Sequence, residues 1–298
     1  MATQLTGSIV ALVTPMDDEG GIDLPAFNRL VDWHIDSGSN GIVVVGTTGE
    51  AATLTPREHC DLVAHCVEHA AGRIPVIAGT GSNSTDEALF FTREAKRHGA
   101  DAALLVTPYY NKPPQEGLYR HFRLIAEAVD IPQILYNVPG RTACDLQLET
   151  VERLAGLDNI VAIKDATGSL ERGVELIQTC GDRLAVLSGE DPLSRQLILA
   201  GGKGTISVTA NVAPALMAKM CALALAGDEA AADAVDEKLA GLHRNLFLQA
   251  NPIPVKWALR RMGRIGGGIR LPLVELDEKF RLQVEDALRQ ADVELPAE

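Results

Sequence analysis

The run IVAIKDA, residues 160–166, decides the fold of this 298-residue chain, because seven similar runs accompany it. Each run is short and apolar, and most are bounded by Gly or Pro. The other seven are GSIVALVTP from Gly7, GIVVVG from Gly41, PVIAGT from Pro75, AALLVTP from Ala102, PQILYNVP from Pro132, LAVLSGED from Leu184 and GTISVTAN from Gly204. Continuous apolar runs of this kind indicate strands that are buried on both faces, as in parallel sheets.

Helical stretches separate these runs. Thr55 and Glu58 form a capping box with Pro56 at the first helical position, and Ser84 with Glu87 repeats the box before the next helix. Because strand and helix alternate along the chain, parallel pairing through crossover helices is predicted. The predicted fold class is therefore α/β, a closed (β/α)8 TIM barrel, with a doubly wound open sheet as the structural alternative.

The chain beyond about Ala226 carries no further strand pattern. One apolar helix face is expected there, because four residues follow the spacing i, i+4, i+7 and i+11, namely Val235, Leu239, Leu242 and Leu246. We therefore divide the chain into a catalytic barrel, residues 1–227, and a C-terminal helical region, residues 228–298. The apolar face of this appendage is expected either to cap the barrel or to pack against another subunit.

The composition argues against several classes of protein. A net charge of −13, from 27 basic and 40 acidic residues, does not suit a surface for nucleic acid or acidic lipid. No apolar run reaches the roughly 20 residues that cross a bilayer, and the first residues lack a secretory signal pattern. Five cysteines without a C-x-x-C pair fit a reducing compartment. A cytoplasmic protein without nucleic-acid or membrane partners is expected.

Two short motifs suggest a metal or a cofactor, and neither is supported by its context. Residues His65 to His69 fit the H-x-x-E-H zinc pattern, but their helix lies away from the strand ends where barrel chemistry collects. We interpret this motif as a solvated helix face, and adventitious metal at the two histidines is left open. Gly79–Gly81 resembles half of a dinucleotide fingerprint, yet the third glycine is missing. Neither motif therefore predicts a resident metal or a bound dinucleotide.

Lys164 is the only one of eight lysines that lies inside an apolar strand run. Strand alternation points it to the same side as Ala162 and opposite to Ile163, and one of these sides is the packed barrel interior. Burial disfavours a charged ammonium, and a neutral amine at the carboxyl end of a barrel strand is what Schiff-base chemistry with a carbonyl requires. The structural alternative is a lysine whose stem is buried and whose head reaches solvent.

Three other strand ends carry polar residues of compatible chemistry. The glycines of Gly46–Glu50 free the backbone to bind an anion, and Thr47 and Thr48 add hydroxyl donors suited to a carboxylate. Arg141 offers a bidentate contact to a second carboxylate. Phenols that can transfer protons stand at the ends of the fourth and fifth runs, on three of the four tyrosines: Tyr109, Tyr110 and Tyr136. Packing alone does not require this combination.

Several segments resemble the dihydrodipicolinate synthase family of pyruvate-dependent class I aldolases. They are GTTGEAATL (46–54), VTPYYNKPPQEGLYRHF (106–122), ILYNVPGRT (134–142), IKDATG (163–168) and NPIPVKWAL (251–259). The resemblance runs from about Gly7 to Leu273. It implies a Schiff-base-forming lyase that condenses pyruvate with L-aspartate 4-semialdehyde. The implied product is 4-hydroxy-tetrahydrodipicolinate, on the route to lysine and diaminopimelate.

The resemblance also implies roles for individual residues. The implied catalytic groups are the Schiff-base amine of Lys164, the general acid and base Tyr136, the proton-relay hydroxyl of Thr47, and Tyr110 from the neighbouring subunit. The implied substrate contacts are Thr48 for the pyruvate carboxylate, Arg141 for the semialdehyde carboxylate, and the backbone of Gly189 and Ile206. A homotetramer built from two tight dimers is implied, and no organic cofactor.

A regulatory site is the point at which the sequence departs from the family pattern. The positions that bind inhibitory lysine in regulated members match Ala51, His59, Asn83, Glu87 and Tyr109. Ala51 stands where those members often carry Ser, and Pro56 where some carry His. Losing a hydroxyl and an imidazole removes polar partners from a charged ligand, at about 1 kcal/mol or more each. Weak or absent inhibition by lysine is therefore expected.

Two other functions remain open from the sequence. A related Schiff-base lyase, acting on N-acetylneuraminate or a 2-keto-3-deoxy sugar acid, uses the same lysine and tyrosine but needs a longer polyol-binding surface. Arg141 favours a short aldehyde that carries a carboxylate. A non-catalytic barrel that binds a ligand is the third hypothesis, and it gives no reason for Lys164, Tyr136 and Thr47 to occur together.

Overall fold

Eight parallel strands close into a barrel in a computed structural model of the protein, which describes residues 5–296. Each strand pairs with the next along the chain, and the last pairs with the first. The strands are β1 (Gly7–Ala11), β2 (Gly41–Val44), β3 (Val76–Gly79), β4 (Ala102–Val106), β5 (Gln133–Asn137), β6 (Ile160–Asp165), β7 (Ala185–Ser188) and β8 (Gly204–Ser207). The predicted (β/α)8 barrel is confirmed, and the open-sheet alternative is wrong.

Helices connect successive strands and continue after the last strand. They are α1 (Leu24–Asp36), α2 (Pro56–Ala70), α3 (Thr85–Arg97), α4 (Gln115–Ala128), α5 (Pro139–Thr142), α6 (Leu148–Leu154), α7 (Leu170–Cys180), α8 (Ser194–Leu199), α9 (Pro214–Leu225), α10 (Glu229–Asn245), α11 (Ile253–Arg261) and α12 (Glu278–Gln290). Within residues 5–296, none of the helices is both long and apolar enough to span a membrane.

The alternation of side chains along β6 decides where Lys164 points. Ala162 belongs to the apolar cluster inside the barrel, together with Leu187 and Ile206. Ile163 belongs to a different cluster, between the strands and the surrounding helices. Because successive strand residues face opposite sides, Lys164 lies on the interior side with Ala162. The predicted orientation of the lysine is therefore confirmed.

Local capping explains where two of the connecting helices begin. At α2, the Thr55 side chain accepts from the Glu58 amide while the Glu58 carboxylate accepts from the Thr55 amide, so the predicted capping box is complete. At α3, Ser84 accepts from the Glu87 amide at 3.4 Å, but the Glu87 carboxylate accepts from the hydroxyl of Ser82. The second predicted box is therefore only half correct, because the Glu87 carboxylate accepts from the Ser82 hydroxyl and not from the Ser84 amide.

The C-terminal helices pack onto the barrel of the same chain. The apolar face predicted around Leu239 is buried on α10, in one cluster with Val10 of β1 and Met217 of α9. This face therefore lies against the barrel and not against another subunit. The division of the chain between residues 227 and 228 stays a prediction, since one apolar cluster contains residues from both sides of it.

Candidate active site

Lys164 and Tyr136 lie side by side at the carboxyl ends of β6 and β5. They are register partners in the two paired strands, and the lysine Nζ lies 4.2 Å from the centroid of the Tyr136 ring. Lys164 is 6% exposed and Tyr136 is 7% exposed. Nearly all of the lysine side chain is therefore buried beside Tyr136, which argues against the alternative in which its head extends into solvent. A buried amine beside a phenol is suited to addition to a carbonyl with local proton transfer.

Gly189 forms the wall against which the lysine stem rests. Its amide donates to the carbonyl oxygen of Asp165 at 2.6 Å, just after β7. A Cβ atom at Gly189 would lie 2.7 Å from the Cβ of Ala166 and 3.0 Å from the Cε of Lys164. A side chain at residue 189 would therefore crowd both Ala166 and the lysine stem, which gives the predicted site residue Gly189 a steric role. Ile206 lies nearby in the buried interior cluster.

We expect Gly189→Ala to lower kcat by about 100-fold, because a shift of about 1 Å in the reacting amine has an effect of that size. The added methyl group makes its tightest contact with Ala166 and also presses on the stem of Lys164. The measurement is the steady-state rate, with thermal unfolding recorded in parallel to detect a loss of fold. Gly156→Ala is the matched control, since its nearest neighbour would be a backbone oxygen at 3.4 Å. An unchanged rate for Gly189→Ala would show that this wall does not hold the lysine.

The turn Gly46–Glu50, which carries both predicted threonines, is fixed from outside the barrel. Glu50 has a left-handed φ of 58° and its buried carboxylate pairs with the ammonium of Lys256 on α11. The second carboxylate oxygen accepts from the Arg270 amide at 3.2 Å. Burial lowers the pKa of Lys256, and the Glu50 charge opposes that shift. The buried ion pair ties the turn to the C-terminal helices, so the conformation of the threonines depends on them.

Asn251 links the two predicted carboxylate contacts. Its side-chain Nδ2 donates to the Thr48 hydroxyl oxygen at 2.9 Å, and its main-chain oxygen accepts from Arg141 Nη2 at 3.3 Å. Arg141 lies on the short helix α5 that follows β5, whereas Thr48 follows β2. The structure therefore brings these two residues to the same region of the barrel mouth. Sequence reasoning missed Asn251, although it opens the segment NPIPVKWAL.

Glu190 is a further group that sequence reasoning missed. Burial raises its pKa, and the neighbouring Asp191 carboxylate raises it further, while the charges of Lys164 and Arg141 oppose the shift. This acidic side chain therefore lies within electrostatic reach of both cations. Its position just after β7, in the run LAVLSGED, is the signal that could have identified it, because polar residues at such strand ends line the barrel mouth.

The predicted proton relay is not assembled within the single chain. Tyr110 follows β4 with a left-handed φ of 73° and is 89% exposed. Thr47 is half-buried on its turn. Among the described residues, the side-chain hydroxyls of Thr47, Tyr110 and Tyr136 make no hydrogen bond to one another. A relay through Tyr110 therefore requires a second copy of the chain, and its role stays a proposal.

The residues of the predicted lysine site lie around α2 and α3. His59 is buried on α2, stacked on the ring of Phe91, and burial lowers its pKa to about 4 against the opposing charge of Glu87. The carbonyl oxygen of Asn83 accepts from Asn111 at 2.8 Å, in the loop that also carries the half-exposed Tyr109. Ala51 opens the short 3-10 turn that follows Glu50. The structure therefore places His59 and Glu87 near one another.

The histidines of the zinc-like pattern are engaged in other contacts. His65 Nε2 lies 2.7 Å from Asn28 Oδ1, and His69 Nε2 lies 3.1 Å from Asp32 Oδ1. Both contacts join α2 to α1. Over residues 5–296 there is no group of three or more His, Cys, Asp or Glu side chains that could hold a metal ion. The motif therefore packs α2 against α1, and the interpretation as a solvated helix face is wrong, because both histidines are partly buried between the two helices.

Known proteins resemble this chain over nearly its whole length. The family model described as the dihydrodipicolinate synthetase family matches residues 4–291. The 4-hydroxy-tetrahydrodipicolinate synthase of Marinobacter nauticus is 61% identical over 97% of this chain and 99% of its own, and that of Azoarcus sp. is 57% identical with the same coverage. A crystal structure of the chloride-inhibited dihydrodipicolinate synthase from Acinetobacter baumannii, complexed with pyruvate, has a TM-score of 0.96 at 55% identity, covering 97% of this chain and 99% of that one. The chain therefore belongs to the dihydrodipicolinate synthetase family.

Proposed function

We propose that the chain condenses pyruvate with L-aspartate 4-semialdehyde through a Schiff base on Lys164, giving 4-hydroxy-tetrahydrodipicolinate. The observation that carries this proposal is the buried Lys164 amine, 4.2 Å from the ring centroid of Tyr136 at the mouth of the barrel. Relatives at 57% and 61% identity that are named for this product support it. The reaction places the protein in lysine and diaminopimelate biosynthesis.

The chemistry divides among the residues at the mouth. The Lys164 amine adds to the ketone carbon of pyruvate, and water leaves as the imine forms. Loss of a methyl proton gives the enamine, whose carbon attacks the aldehyde of the semialdehyde, and cyclisation then releases the lysine. Tyr136 is the general acid and base for these proton transfers, because its ring lies against the amine. No organic cofactor is needed, since the lysine imine itself accepts the electron pair.

Substrate charge determines the proposed binding contacts. Both substrates carry a carboxylate, yet the protein has a net charge of −13, so local cations must overcome the overall field. Thr48 donates to the pyruvate carboxylate, and Arg141 pairs with that of the semialdehyde. Backbone groups of Gly189 and Ile206 line the same space. Arg141 therefore favours a short carboxylate-bearing aldehyde over the polyol of a sugar acid.

The assembly that we propose is a homotetramer built from two tight dimers. The proton relay from Tyr136 through Thr47 to Tyr110 requires the tyrosine of a neighbouring copy, because Tyr110 is 89% exposed in the single chain. Tyr109 and Phe90 are also exposed large rings, and association would remove their apolar surface from water. We place this assembly in the cytoplasm, which suits its five free cysteines.

Two experiments test the proposed reaction. Pyruvate followed by borohydride reduction should add one reduced pyruvate to the intact mass of the protein, which a non-catalytic barrel would not show. Pyruvate with the semialdehyde should then support NADPH oxidation when the reductase that consumes the product is added. Cleavage of N-acetylneuraminate or a 2-keto-3-deoxy sugar acid, without this condensation, would instead identify the protein as a related lyase.

We expect lysine to inhibit the enzyme weakly, so that half-inhibition requires millimolar or higher lysine concentrations. The candidate site keeps His59, Glu87, Asn83 and Tyr109 but lacks a hydroxyl at Ala51. Restoring it with Ala51→Ser should strengthen inhibition about fivefold, since one hydrogen bond contributes about 1 kcal/mol. The measurement is the initial rate across a lysine titration of both proteins. Submillimolar half-inhibition of the unmodified enzyme would contradict this expectation.

A further inference from the structure

Asn251 contacts two residues that we propose to bind substrate, and these residues follow different strands of the barrel. Its Nδ2 donates to Thr48 at 2.9 Å, and its main-chain oxygen accepts from Arg141 at 3.3 Å. Asn251 is 6% exposed and Thr48 is 2% exposed, so water does not compete for the bond between them. Asn251 lies between α10 and α11, outside the barrel strands. One residue of the C-terminal region is thus hydrogen-bonded to both proposed carboxylate contacts.

The direction of the bond between Asn251 and Thr48 determines what the threonine hydroxyl can do. A hydroxyl has one proton and two acceptor lone pairs, whereas an amide nitrogen only donates. Because Nδ2 donates, the Thr48 oxygen is the acceptor and its proton is free to point elsewhere. An oxygen atom in the place of Nδ2 would take that proton. The amide group therefore keeps a hydrogen-bond donor available on the turn Gly46–Glu50.

A carboxylate bound at Thr48 would complete a chain of two hydrogen bonds in which each donor points toward the carboxylate. The Asn251 N–H donates to the Thr48 oxygen, and the Thr48 O–H donates to the carboxylate, so each bond polarises the other. The remaining amide atom, Asn251 Oδ1, is buried and has no partner among the described residues. An unmet buried acceptor is unfavourable. The favourable contribution of this side chain therefore comes from its bond to Thr48.

We propose that Asn251 is a positioning residue that directs the Thr48 hydroxyl proton toward the carboxylate of pyruvate. This inference rests on the proposed function, because it takes pyruvate as the ligand of Thr48. The contact to Arg141 uses the main-chain oxygen of Asn251 and survives a change of the side chain. The neutral side-chain variant Asn251→Leu should therefore alter the response to pyruvate and leave the response to the semialdehyde unchanged.

The test uses Asn251→Asp and Asn251→Leu, each alone and combined with Thr48→Val. The readout is the pyruvate concentration that gives half of the maximal borohydride-trapped adduct by intact mass, which needs no second substrate. KM for the semialdehyde is measured on the same proteins, and thermal unfolding checks that they fold. Gln249→Ala is the matched control, because its side chain accepts from the main-chain amide of Asp277 and makes no hydrogen bond to Thr48.

Asn251→Asp should raise the half-saturating pyruvate concentration roughly 10- to 100-fold, since the threonine proton is diverted from a charged ligand. Asn251→Leu should raise it only about three- to tenfold, because the proton stays free although it is no longer oriented. Both effects should be smaller in the Thr48→Val background. There, Asn251→Leu should change the half-saturating pyruvate concentration by no more than about twofold. The control should not change, and KM for the semialdehyde should not change in Asn251→Leu, which adds no charge beside Arg141.

Two results would overturn the inference. The first is a larger rise in the half-saturating pyruvate concentration for Asn251→Leu than for Asn251→Asp. The second is a rise that is the same, for either substitution, with and without the Thr48 hydroxyl. If Asn251→Asp does not fold, the Leu variant in the two backgrounds decides by the same comparison. If the unmodified enzyme forms the adduct but the variants give either of these two results, only this inference is contradicted. Absence of any adduct on the unmodified enzyme contradicts the proposed function and this inference together.

Discussion

Replacing Lys164 with alanine is expected to abolish adduct formation with pyruvate and to lower the condensation rate by at least about 1000-fold. Within residues 5–296, Lys164 is the lysine whose amine lies beside Tyr136 at the barrel mouth. Lys256, the other buried lysine, is paired with Glu50 on the outer side of the turn that carries the threonines. Intact mass after pyruvate and borohydride measures the first effect, and coupled NADPH oxidation measures the second.

Lys203→Ala is the matched control for this loss. Lys203 is exposed and precedes β8, at the opposite end of the barrel from Lys164. The control should form the adduct and retain its rate. A pyruvate adduct on the Lys164→Ala protein would show that another nitrogen carries the reaction. A rate that survives without any adduct would exclude a Schiff-base mechanism and redirect the search to Glu190 and Tyr136.

Chain order made the centre of this site predictable. In a barrel of consecutive parallel strands, the fifth and sixth strands must be neighbours, so the ends that carry Tyr136 and Lys164 must meet. Alternation along IVAIKDA then placed Lys164 on the same side as Ala162, which proved to be the interior. Both inferences need only strand order and a two-residue period, which is why they could be made without coordinates.

Other parts of the site are not encoded in strand order. Asn251 reaches Thr48 from 203 residues away in the sequence, and Lys256 reaches Glu50 from 206 residues away. These contacts depend on how α10, α11 and α12 pack on the barrel, which helix periodicity alone does not specify. Tyr110 is 89% exposed in the loop after β4, and strand order does not specify what such a side chain contacts.

Tyr136→Phe is expected to lower kcat by about 100- to 10,000-fold, the range that positioned proton transfer contributes. The substitution keeps the ring that lies 4.2 Å from the Lys164 Nζ and removes only the hydroxyl, so the lysine retains its packing. Borohydride should therefore still trap the pyruvate adduct, but more slowly, because water must supply the protons. Samples that are quenched at successive times and analysed by intact mass give that rate.

Tyr119→Phe is the matched control, since its ring lies on the outer helix α4 beneath Arg153, and it should leave both rates unchanged. If Tyr136→Phe trapped pyruvate and condensed it at the normal rate, the phenol would be a packing group, and the proton transfers would have to be assigned to another residue at the barrel mouth.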